Sequence, residues 1–153
     1  TFDIDFVPSP AEANEERLAA ALAELGARLR IAGMTDEEAR QLPVVVDAAT
    51  IRAFGSTTWT TDAGPLDVLT ELPVSGGRRA FDDLVQRSTD VEFSGVVVRL
   101  ASLDDIIDSK SHADRPKDRE ALPELQELRA RRQDGSSGSV APPVAPHGEP
   151  EHT

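Results

Sequence analysis

Asp3, Ile4 and Asp5 put two carboxylates two residues apart in a stretch that alternates apolar and acidic from Phe2 to Val7. Period-two alternation predicts a strand, and residues i and i+2 of a strand share a face about 6.5–7 Å apart. Two carboxylates so placed suit Mg²⁺, a hard cation that takes oxygen ligands, or one half of a two-metal site. The plainer reading of the same tripeptide is an exposed strand with an acidic outer face. Asp67 is a third acid, within Gly64-Pro65-Leu66-Asp67-Val68-Leu69. Asp is a poor strand former, and a buried carboxylate needs a partner or a metal. If that strand lies beside the first, three carboxylates converge; otherwise Asp67 sits on a solvent face. Lys110 and Asp114-Arg115-Pro116-Lys117-Asp118 gather cations around a helix break. Arg115 as a planar fork and Lys110 as a point charge suit a triphosphate, although charge runs are more often solvated helix junctions.

These groups must be held by one domain. The chain has 153 residues, no cysteine and a formal net charge of -12. Disulfides and thiolate metal sites are excluded, which fits a reducing, cytoplasmic setting. The acidic field opposes non-specific adhesion to nucleic acid or anionic lipid. No apolar run approaches the ~20 residues needed to span a bilayer, so no membrane partner is expected. The chain opens on Thr1 and not on Met, so either an upstream N-terminus or a misassigned start is expected.

Ser9 and Pro10 predict a helix start, with Leu18, Ala21, Leu22, Leu25 and Leu29 at helical spacing as far as about Arg30. Thr35 and Glu38 read as a capping box for a short helix through Leu42. Pro43 to Val46 is a candidate strand, and Asp47 to Phe54 one or two helical turns ended by Gly55. Thr57 to Thr61 and Pro65 to Leu72 read as a hairpin, with Trp59 packed inward, and Val74 to Gly77 as a loop. Arg79 to Arg87 reads as a helix burying Phe81, Leu84 and Val85, with Arg78-Arg79 a surface pair. Val91 to Leu100 is a hairpin about Ser94-Gly95. Ser102 caps a helix to about Ala113. A second helix, Lys117 to Arg132, turns Leu122, Leu125 and Leu128 inward and should kink or restart at Pro123. The fold class is therefore α+β: a mixed or antiparallel sheet from strands near 2–7, 57–61, 65–72 and 91–100, helices on one face, and a C-terminal helical subregion from Ser102. Residues 1–132 form the domain. Residues 133–153, rich in Pro, Gly, Ser and acids, read as a disordered tail. His112, His147 and His152 do not make a metal set, and Ser56 and Ser109 lack the histidine a nucleophilic triad needs.

The three blocks, Thr1 to Val7, Gly64 to Leu69 and Ala101 to Asp118, resemble the nucleotidyltransferase superfamily with the DNA polymerase beta-like fold. Within it they look most like the minimal AbiEii-type toxins, over nearly all of residues 1–132. The resemblance implies that Asp3, Asp5 and Asp67 bind Mg²⁺ and carry catalysis, with an NTP as substrate. It implies that Lys110 and Arg115 face nucleotide phosphate, and that Lys117 and Asp118 support the site or touch substrate. The expected reaction moves an NMP to an acceptor hydroxyl, on tRNA or on a small cationic molecule, with an antitoxin protein as a further partner. The sequence departs from the family in one respect. The Gly-Ser or Gly-Gly turn expected about ten residues before the acidic pair is not in this chain, and Gly55-Ser56 and Gly76-Gly77 lie downstream. The other expectation is a catalytically degenerate module that acts by binding a protein partner.

Overall fold

A computed structural model of the protein describes residues 4–136. Its centre is a four-stranded mixed sheet built from β1 (Ile4–Phe6), β2 (Arg28–Arg30), β3 (Thr57–Thr61) and β4 (Gly64–Val68). The spatial order is β1-β4-β3-β2, with β1 parallel to β4 and the other pairs antiparallel. The architecture is α+β, as expected.

Alternation sorts the sheet into two faces. Leu29, Trp59, Leu66 and Ile4 stand in one register row, and Thr57, Val68 and Phe6 in the next. That face meets helix α1 (Glu12–Glu24) and helix α3 (Ala48–Phe54), and Trp59, Val68 and Leu29 join Ala19, Leu22 and Ile51 in the core. Trp59 is fully buried, and its indole N–H donates to Thr57 Oγ1 at 2.8 Å, so the polar end of the ring is satisfied inside the core. The opposite face carries Asp5, Asp67, Thr58 and Arg30 in a single row.

The first helix is shorter than expected. Ala11 is its N-cap, without a side-chain capping bond, and Ser9 lies two residues earlier. The helix stops at Glu24 because Gly26 takes φ 60°. Gly26 N–H then donates to Ala23 O at 3.0 Å and Ala27 N–H to Leu22 O at 2.9 Å, the paired bonds of a Schellman ending. Leu29 thus belongs to a strand, β2, that helical spacing concealed. The capping box on α2 (Asp36–Gln41) is present, with both Thr35 and Glu38 contributing. Asp47 caps α3 by accepting from Thr50 N–H at 2.7 Å, and Gly55 ends it at φ 67°.

Pro43 to Val46 is not a strand; Val44 and Val46 pack on the core from an irregular segment. The returning strand ends at Val68, not Leu72. The stretch expected as a loop instead turns within a small hairpin of β5 (Leu72–Val74) and β6 (Gly77–Arg79). Helix α4 (Phe81–Val85) buries Leu84. Among the described residues, strands β7 (Thr89–Phe93) and β8 (Val96–Leu100) pair only with each other, so the 91–100 hairpin is separate from the main sheet. Ser94 and Gly95 both take positive φ, which matches the right-handed twist of a tight hairpin.

Helix α5 (Leu103–Ala113) and helix α6 (Pro116–Ser136) form the C-terminal subregion. Helix α6 runs through Pro123 without restarting, and Leu128 is exposed where inward packing was expected. Residues 133–136 belong to this helix, not to the tail; the rest of the expected tail, with His147 and His152, lies outside the described residues. No helix among the described residues is long and apolar enough to cross a membrane.

Candidate functional site

Asp5 and Asp67 are register partners on adjacent parallel strands. Neighbouring strands lie about 4.8 Å apart, so the two carboxylates project side by side from the polar face of the sheet. Asp5 is exposed and Asp67 half-buried. Asp3, the third acid of the expected set, lies outside the described residues. Among the described residues no group of three potential ligands is assembled.

The cationic block is built by the helix break. Asp114 takes a left-handed conformation after α5, and Pro116 starts α6 at the position where its missing N–H costs nothing. That turn folds residues 110, 115 and 118 onto one another. Asp118 is fully buried and receives Arg115 Nε at 2.6 Å, with Lys110 Nζ at 3.4 Å. The Arg115 bonds, with help from Lys110, hold the Asp118 carboxyl below its ordinary value. A buried carboxylate that fixes two cations orients them and leaves the trio one net positive charge. Asp118 is thus closed to solvent and spent on Arg115 and Lys110. Lys117 is exposed on the first turn of α6, apart from the cleft described next.

Asp5, Lys110 and Arg115 all line one cleft of about 580 Å³ between the edge strand β1, the β7–β8 hairpin and the two C-terminal helices. Arg99 and Arg132 line it as well. Its walls are mainly apolar, with Phe81 and Leu103 among them. Asp67, beside Asp5 on the sheet, is not part of the lining.

Sequence reasoning missed Arg132, although it follows Leu125 and Leu128 along one stripe of α6. It also missed a second buried carboxylate. Asp105, read as a first-turn acid, is 1% exposed and lies 2.8 Å from both Arg79 and Arg87. Ser102 Oγ donates to its carboxylate at 2.7 Å while accepting from its backbone N–H. Arg79 is thus an internal clamp between β6 and α5 and not one of a surface pair. A cap residue followed by two acids and preceded by spaced arginines was the available signal. Ser109 lines the cleft, whereas Ser56 bonds to Thr70 at 3.2 Å.

No family model, curated protein or solved structure gives a significant match to this chain.

Proposed function

We propose that the chain is a metal-dependent nucleotidyltransferase that moves an NMP from an NTP to an acceptor hydroxyl. One observation carries this reading. In a chain of net charge -12, four cationic side chains and a single carboxylate line one largely apolar cleft. That pairing of surfaces fits an anion with an apolar body, as a nucleotide is. Lys110 and Arg115, held by Asp118, would take phosphate oxygens, and the apolar walls would seat the base and exclude water.

The residues present fit Mg²⁺. Asp5 and Asp67 offer hard oxygen donors on neighbouring strands. Bound by these carboxylates, the metal would neutralise phosphate charge and activate the acceptor hydroxyl as pyrophosphate leaves. The acidic field outside the cleft favours a small cationic acceptor over tRNA.

Calorimetry of NTP binding tests this directly. Wild-type protein should bind only with Mg²⁺. Asp5→Asn/Asp67→Asn should remove most of that Mg²⁺-dependent affinity. Lys110→Ala should weaken binding about tenfold, the loss of one charge-assisted contact. Binding that ignores Mg²⁺ and all three substitutions would sink the reading.

A second reading, a module acting through a protein partner, is favoured by one feature, the exposed β7–β8 hairpin.

A further inference from the structure

Among the described strands, only β7 and β8 have every residue exposed. Register sets Val91 opposite Val98 and Phe93 opposite Val96, and with Leu100 they share one face. These are large apolar side chains in water: Phe93 is 72% exposed. A two-stranded hairpin is marginal alone and gains stability when its apolar face packs on a helix. The dimensions suit a single helix. Two strands about 4.8 Å apart present a strip that one helix, about 10–12 Å across, covers.

The face has a direction. Phe93 and Val96, at the turn, are not part of the cleft lining. Val91 and Leu100, toward the other end, do line the cleft, and the apolar surface continues there into Leu125 and Leu128 of α6. From Val96 to Leu100 the face runs about 13 Å, the length of about nine helical residues. A helix laid along it therefore delivers its next turn to the cleft mouth.

Charge at that end selects the occupant. Arg99 is engaged by Asp90 at 3.0 Å on the hairpin's other face. Among the described residues, Lys110, Arg115 and Arg132 then stand against Asp5 and the buried Asp118, which leaves one positive charge over. Arg132 is exposed and has no ion-pair partner among the described residues. A basic segment would meet these cations, and a second copy would bring them again along with its own net charge of -12. An acidic end supplies what Arg132 lacks.

We infer that the apolar face of the β7–β8 hairpin docks an amphipathic helix of a protein partner, whose acidic end enters the cleft at Arg132 and Lys110. The apolar stripe of that helix covers Val91, Phe93, Val96 and Val98, as a helix fills a hydrophobic groove. The carboxylates at its end set its direction and exclude basic competitors. Docking itself does not depend on nucleotide chemistry. On the transferase reading the helix also displaces nucleotide, because Lys110 and Arg115 are the residues proposed for phosphate.

The test titrates the full chain with a labelled synthetic helical peptide that has Leu every three or four residues and Glu at one end. Its counterpart carries Lys in place of Glu. Fluorescence anisotropy reads binding, and amide hydrogen exchange reads its location. The Glu peptide should bind and slow exchange in β7 and β8. The Lys peptide should bind at least tenfold more weakly, although the net charge of the chain favours it at long range. Phe93→Ser/Val96→Ser and, separately, Arg132→Glu should each weaken the Glu peptide about tenfold or more. These side chains are exposed and lie on different elements, so circular dichroism should be unchanged. Preference for the Lys peptide, equal binding by the variants, or protection away from the hairpin overturns the inference. So does a concentration-dependent dimer that Phe93→Ser abolishes, which would assign the face to a second copy. Binding that needs deletion of residues 137–153 would assign it to this chain's own C-terminal segment, and overturns it too. NTP titrations on the same samples keep the two readings apart. Peptide binding without NTP binding sinks only the transferase, and NTP binding without peptide binding sinks only this inference.

Discussion

Replacing Asp118 with Asn isolates the charge at the helix junction while keeping side-chain shape. In the wild type a fully buried carboxylate accepts from Arg115 Nε at 2.6 Å. A hydrogen bond to a charged acceptor contributes about 1.5–3 kcal/mol, and a neutral one about 0.5–1.5. The Lys110 contact, at 3.4 Å from a partly solvated ammonium, adds little to the folding free energy, although it sets where the ammonium sits. The expected loss is therefore about 1–2 kcal/mol. In urea, with a slope of about 2 kcal/mol/M, the middle of the range for small domains, the midpoint should fall by about 0.5–1 M. The pH dependence supplies the sign. The folded-state value of Asp118 lies below its ordinary 3.8, so its stabilisation is fully present above pH 3.8. It is lost as pH falls through the lower folded value. The gap between wild type and Asp118→Asn should thus be full at neutral pH and close under acid. A neutral-pH difference below about 0.5 kcal/mol, the range of ordinary surface substitutions, would refute the reasoning. So would a gap that persists unchanged in acid.

Three further outcomes follow from the packing. Trp59→Ala should cost about 3–5 kcal/mol in a denaturant melt, since it empties the centre of the core and orphans its hydrogen-bond partner Thr57. Gly26→Ala should cost about 1–2 kcal/mol, because the residue sits at φ 60° and an added Cβ would meet Asp62 Oδ2 at 2.7 Å. Ser102→Ala should cost about 1 kcal/mol or somewhat more, since it removes a helix cap and a donor to buried Asp105 together; thermal unfolding reads it.

The parts legible in sequence were those fixed locally. The Thr35–Glu38 box, the Ser102 cap, the Ser94-Gly95 turn and the Arg115-Pro116 break each follow from a side chain or a φ preference acting within four residues. The alternating strand around Asp5 and the strand around Asp67 were legible too, and their adjacency was posed as a condition that the register now meets. What sequence could not supply was pairing across distance. Leu29 satisfies helical spacing from Leu18 and Leu25, and only the glycine turn at Gly26 reassigns it to a strand. Val91 to Leu100 alternates like a sheet member, yet nothing local says which sheet it joins. Pro123 breaks a helix by propensity, and it is tolerated on an exposed face where its ring meets solvent.

The two buried carboxylates have a joint consequence that neither has alone. Asp105, at the start of α5, is gripped by Arg79 from β6 and Arg87 beyond α4. Asp118, in α6, grips Lys110 on the second half of α5. Five residues of helix separate the attachment points, about 7.5 Å of rise. Between and at those points Ile106, Ser109 and Lys110 line the cleft. A wall anchored at both ends by charge-assisted contacts keeps Lys110 and its neighbours in place before any ligand arrives. The ordering cost of binding is then smaller than for lysine on a free helix end. Releasing either anchor should blur the same wall. Arg79→Ala, far in sequence from the helix break, should therefore lower NTP affinity in the same direction as Asp118→Asn. An Arg79→Ala protein that binds NTP as the wild type does would show that α5 needs only its C-terminal anchor.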